Sequence, residues 1–119
     1  METITKMLNA FEQAARRHSE AEVECNGRVC NRSYAKLIKV VSYLKENNSM
    51  DELRIFLKHE NPGVRAWAAT FLLPTNEKEA SDVLSSLSKE GIHVLSYSAE
   101  LTLREWRKTK RDGSDWHVF

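Results

Sequence analysis

Apolar residues return every three or four positions along almost the whole chain, the spacing of amphipathic helices. Ile4, Met7, Leu8, Phe11, Ala14 and Ala15 make one stripe, which His18 closes. The Asn-Gly pair inside "CNGRVCN" (25–31) then signals a turn. Tyr34, Leu37, Ile38, Val41 and Leu44 form a second stripe that runs out at Glu46-Asn47-Asn48. Ser49 and Glu52 have capping-box spacing, so a third helix is predicted from about Met50, with Leu53, Phe56 and Leu57 inward. Asn61 is a good N-cap and Pro62 suits a first helical position; this fourth helix runs until Pro74. Asn76 and Glu79 suggest another capping box. A fifth helix carrying Val83, Leu84 and Leu87 stops at Gly91. A sixth, capped by Ser96 or Ser98, places Ala99, Leu103 and Trp106 on one face. No strand-like alternation of useful length interrupts the series, so the fold class is all-α.

The fourth helix differs from the others. Between Val64 and Leu73, eight of ten residues are apolar or alanine. A helix of that kind is covered on nearly every side and belongs at the centre of the fold. Val64, Trp67, Ala68, Phe71 and Leu72 form its main stripe, and Ala66 and Ala69 let neighbours approach closely. Arg65 stands out in its first turn, where the helix dipole disfavours a cation. A planar donor fork suits turn carbonyls or a carboxylate on an adjacent helical pair, so Arg65 is expected to be a structural bolt.

The segment "NPGVRAWAATFLL" resembles the turn and second helix of a HEAT repeat, through Asn61, Pro62, Val64, Arg65, Ala68, Ala69 and Leu72. Three blocks are similar to a family of short bacterial HEAT-like proteins, a domain of unknown function. They are "NRSY" (Asn31, Arg32, Tyr34), "VRAWAATFLL" with Arg65 and Trp67, and "AELTLREW" (Ala99, Glu100, Leu103, Trp106). The resemblance spans Asn31 to Trp106 and implies a short α-α superhelix of about three helical hairpins. It implies a structural role for Arg65 between successive pairs, and it brings no reaction. A shift of about thirty residues aligns Leu53 with Leu84, Phe56 with Leu87, Ala68 with Ala99 and Leu72 with Leu103. The first two helices then serve as a divergent cap on the stack.

At 119 residues the chain is read as one helical domain over 1–110 with a C-terminal tail over 111–119, where Trp116 and Phe119 are able to dock on the body. Charged residues make up 29% and the net charge is +1, which argues against a dedicated nucleic-acid binder. No membrane span and no apolar leader is present, so a cytoplasmic location with Cys25 and Cys30 reduced is expected. His18, Cys25 and Cys30 lack the second pair that zinc spacing needs. With no phosphate loop, nucleophile elbow or zinc-protease motif, neither a metal, a cofactor nor an enzyme activity is expected.

What remains is surface. Glu20, Glu22 and Glu24 end the first helix, and Glu77, Glu79 and Asp82 begin the fifth; both sets are candidate contacts for a cationic partner. Trp116 lies outside every stripe and is a candidate exposed anchor. Asn31, Tyr34, Arg65, Trp67 and Trp106 are assigned to structure. The expected function is a non-catalytic protein-binding module, in its most concrete form an immunity-type protein that neutralises a bacterial toxin. The alternative is a HEAT-like nucleic-acid-associated protein using Arg104, Arg107, Lys108, Lys110 and Arg111, five cations against one acid in that stretch.

Overall fold

A computed structural model describes residues 2–113 and 116. Every regular element among its described residues is a helix, with no strand. Helix α1 spans Glu2–Val23, α2 Gly27–Glu46, a 3-10 helix Met50–Lys58, α3 Pro62–Leu72, α4 Glu77–Ser88 and α5 Leu95–Asp112. They pack as three consecutive pairs: α1 with α2, the 3-10 helix with α3, and α4 with α5. The whole measures 36 × 34 × 24 Å.

Helix α3 is the hub, touching α1, the 3-10 helix, α4 and α5. Gly63, Val64, Ala66, Ala68, Ala69, Thr70, Phe71 and Leu72 are all buried on it, as its composition predicts. Its start is built as expected. The Asn61 side chain accepts from the backbone N–H of Gly63 at 2.9 Å and of Val64 at 3.3 Å, with Pro62 in the first turn. Capping of this kind contributes roughly 1 kcal/mol. The eight residues aligned by the thirty-residue shift are all buried, and each pair holds a corresponding place in its own hairpin.

Five local expectations are corrected. The third helix is 3-10 rather than α. With three residues per turn, Met50, Leu53, Phe56 and His59 line up on one edge, and all four are at least partly buried. Ser49 forms no side-chain cap; its hydroxyl instead donates to the Asn47 carbonyl at 3.0 Å. Asn76 likewise forms none, because its side-chain oxygen accepts from the Thr75 hydroxyl at 2.9 Å. Neither Ser96 nor Ser98 caps α5, since the cap position is Val94. Ser96 is buried, donating to the Leu87 carbonyl at 2.6 Å and accepting from the Ile92 N–H at 2.8 Å, which pins the α4–α5 connection. The turn at "CNGRVCN" is also shorter than expected. Asn26 caps α2 by accepting from the Val29 N–H, so Cys30 is already helical.

His59 holds the first two pairs together. Its Nδ1 accepts from the Asn61 backbone N–H at 2.9 Å, so Nε2 carries the proton and donates to Glu12 on α1 at 2.6 Å. With both ring nitrogens engaged, His59 locks the first pair to the second. Around it, Phe11 of α1 stacks on Phe56 at 5.5 Å and meets Phe71 edge-on at 6.1 Å.

Candidate functional site

A cleft opens where the C-terminal half of α1 and the N-terminal half of α5 face each other across α3. Its inner part has a volume of about 280 Å³. The floor is Ala66, Trp67 and Thr70 of α3; His18 and Glu22 of α1 form one wall, and Leu95, Ser98, Ala99 and Thr102 of α5 the other. An outer part of about 220 Å³ runs on past Val23, Gly63 and the α4–α5 connection at Ile92 to Val94. The two parts adjoin at Glu22 and Leu95, which line both, and together they are termed the groove.

The space exists because small side chains stand where the helices diverge. Ala66 and Ala99 leave a gap that larger residues would close. The threonines add little polarity. Thr70 donates its hydroxyl to the Ala66 carbonyl at 2.7 Å and Thr102 to that of Ser98 at 2.9 Å, each within its own helix. Trp67 is held in place in the floor: His18 meets it edge-on at 5.0 Å, Tyr34 tilts against it at 5.7 Å and Phe71 stacks at 5.6 Å. Burial pushes the Tyr34 phenol pKa up.

Glu22 is the ionisable group that both parts of the groove share. Its carboxylate lies 3.4 Å from His18 Nδ1, outside hydrogen-bond geometry, and that nitrogen is buried with no hydrogen-bond partner. Glu22 is in the last turn of α1, which carries no basic residue. A carboxylate there opposes the helix dipole, so local stability does not explain it. Nearby, Cys30 donates weakly to the His18 carbonyl at 3.9 Å. Burial first, and the charge of Glu22 second, push its thiol pKa up and leave it a poor nucleophile.

The far rim is strained. Val94 has φ 65° and ψ −51°, and the Leu95 N–H reaches back to the His93 carbonyl at 2.7 Å. This is a γ-turn of the rare, strained hand centred on a β-branched residue. Strain of this kind costs on the order of 1–3 kcal/mol. It sets the angle at which α5 leaves the α4–α5 connection and so the width of the groove.

The predicted acidic residues fall into two separate places. Glu20, Glu22 and Glu24 lie at the groove end of α1, but Glu20 and Glu24 are paired with Arg17 at 3.5 and 3.3 Å. Glu77, Glu79 and Asp82 lie on the first half of α4, on a different helix pair. They too have partners: Glu77 with Lys110, Glu79 with Arg54 at 2.9 Å, and Asp82 with Lys78 at 3.9 Å. Trp116 is not an exposed anchor. It is partly buried and packs edge-on against Trp106 at 5.2 Å, since a ring of that size has an apolar neighbour within reach. The rest of the expected tail, residues 114–115 and 117–119 including Phe119, lies outside the described residues. Arg65 is about three quarters buried, with Nη1 3.6 Å from Glu90 on the α4–α5 connection, a charge contact from the second pair to the third. Asn31 is exposed on α2.

Glu77 has a defined structural job. One of its oxygens accepts from Lys110 Nζ at 2.6 Å and from Trp106 Nε1 at 2.8 Å, tying the start of α4 to the end of α5. The Lys110 bond, then the Trp106 bond, hold its carboxyl pKa below the usual carboxylate range. A depressed pKa contributes stability above the unfolded value, and that stability is lost as pH falls through the folded one. Glu77→Gln is therefore expected to be less stable than the parent at neutral pH. The gap should close under acid below the ordinary glutamate range, as followed by urea unfolding at stepped pH.

His18, Ser98 and the α5 wall were not legible as a site. Their signal is the coincidence of small residues, Ala66 and Ala99, on helices that turn out to be neighbours. Among the described residues no three His, Cys, Asp or Glu side chains converge to hold a metal ion, and no helix is long and apolar enough to cross a membrane. Comparison with family models, with curated proteins and with solved structures finds no match.

Proposed function

We propose that the protein is a non-catalytic protein-binding module whose partner seats a protruding segment in the groove between α1 and α5. The observation that carries this reading is the groove itself: an apolar floor fixed by Trp67, walls from two different helix pairs, and a polar edge at Glu22 and Ser98. An apolar centre with a few polar groups at its edge is the anatomy of a recognition site. Val23, 61% exposed, extends the apolar surface at the mouth. The threonine hydroxyls donate to backbone, and His59 has both nitrogens occupied, by Glu12 and the Asn61 backbone. Binding therefore accounts for more of the arrangement than catalysis does.

In its most concrete form the module is a HEAT-like, cytoplasmic bacterial immunity protein that occludes a toxin. Stacked helix pairs offering a side-on groove support it, as does Arg65 joining the second and third pairs. The alternative places nucleic acid on the end of α5. Arg107, Lys108 and Arg111 are exposed there, but Arg104 is paired with Glu100 at 3.1 Å and Lys110 with Glu77.

Capture of partners on the immobilised chain separates these readings. Ser98→Phe puts a large ring at a half-buried wall position, whereas Arg107→Glu with Lys108→Glu alters the basic end. The expected result is one stoichiometric protein whose toxic activity the parent chain suppresses, lost with Ser98→Phe and kept with the charge-reversed pair. Retention by Ser98→Phe with loss in the charge-reversed pair, or capture of nucleic acid alone, contradicts the proposal.

A further inference from the structure

The chemistry of the groove narrows what enters it. Its wall residues, Ala66, Trp67, Leu84, Leu95, Ala99 and Leu101, favour an aliphatic stem. Its edge carries Glu22, about a quarter exposed, with the imidazole Nδ1 of His18 at 3.4 Å. The neighbouring acids are different: Glu20 and Glu24 share Arg17, whose guanidinium binds them from the same helix. Among the described residues, Glu22 is thus the carboxylate of the last turn of α1 without an arginine or lysine partner, and it lines both parts of the groove. The end of α1 adds the negative pole of a helix 22 residues long, with no basic residue in its last turn.

We infer that the groove takes an arginine side chain of the partner protein, its aliphatic stem along the α3 and α5 walls and its guanidinium on the Glu22 carboxylate. Arginine suits this place better than lysine. Its planar donor fork meets a carboxylate with two parallel hydrogen bonds, and it gives up water more readily on entering an apolar cleft. The inference rests on the protein-binding reading and specifies the residue that the partner must present.

Small capped peptides test the chemistry without the partner. Ac-Ala-Arg-Ala-NH2 and Ac-Ala-Leu-Ala-NH2 are titrated into the full-length chain and followed by NMR at the Trp67 indole and the Ala66 and Ala99 amides. The arginine peptide is expected to saturate these signals and to bind several-fold tighter than the leucine peptide. Glu22→Gln, which keeps size and helix propensity, should weaken it by about tenfold, the ratio a single charge-assisted bond supplies. Glu24→Gln, next to Arg17, should leave it unchanged. Equal affinity for both peptides, tighter binding of leucine, or indifference to Glu22→Gln overturns the inference. Partner capture that fails with Ser98→Phe, combined with no arginine preference, would retain the binding reading and contradict this inference alone.

Discussion

Phe11→Ala is expected to lower stability by about 3–5 kcal/mol, a large fraction of the roughly 5–15 kcal/mol that holds a domain folded. Phe11 is fully buried and is the place where the first pair meets the second. Its ring stacks on Phe56 of the 3-10 helix and abuts Phe71 of α3. Removing it deletes aromatic surface on three elements at once and leaves a cavity that rigid helices close only partly. Chemical denaturation followed by helical circular dichroism measures the loss. Phe11→Leu, which keeps most of the volume, should cost less than half as much. Equal costs for the two would mean that the ring contacts contribute nothing beyond bulk.

Gly63→Ala is the second large effect, and it acts through space rather than through lost contact. A Cβ at position 63 would stand 1.8 Å from the Ser19 hydroxyl and 2.6 Å from the Ser19 Cβ. Rotating the hydroxyl relieves the first clash only; the second requires α1 to move away from α3. Overpacking of this kind costs about 1–3 kcal/mol. Ser19→Gly in the same chain removes both obstructing atoms. The double variant should therefore be more stable than the sum of the two single losses implies, even though glycine in a helix costs about 1 kcal/mol itself. Strict additivity would show that the α1–α3 approach is looser than these distances require. The same seam sets one wall of the groove, so Gly63→Ala should also weaken partner binding.

Much of the fold was legible because helical periodicity is a local signal and α3 is hydrophobic on nearly every side. Asn61 and Pro62 start α3 where the chain announces a helix, and every residue aligned by the thirty-residue shift is buried. Legibility failed where local chemistry had two outlets. Ser49 and Asn76 carry good capping side chains, but each spends its hydrogen bond on a neighbour in the preceding turn. The 3-10 helix was hidden because Leu53, Phe56 and Leu57 fit a period of 3.6, and only Met50 and His59 extend the series at 3.0. Gly63 carries no sign that Ser19 lies against it, since that contact spans 44 positions.

The groove was less legible than the fold. Glu22 was among the acids singled out, but nothing local separates it from Glu20 and Glu24; Arg17 makes the distinction by pairing with those two. Ala66 reads as a close-packing residue and Ala99 as a core residue. They line an opening because the first and third helix pairs diverge above α3, a property of the assembled stack. Trp116 misled because it lies outside every stripe, while its neighbour Trp106 lies ten positions earlier, on the preceding helix.

The central claim is that the partner seats between the end of α1 and the start of α5. Amide hydrogen exchange on the chain alone and in its partner complex tests it most directly. Slowed exchange concentrated over 16–23 and 95–102, with 104–111 unchanged, is the predicted footprint. Protection confined to 104–111, with those two stretches exchanging as in the free chain, would contradict it.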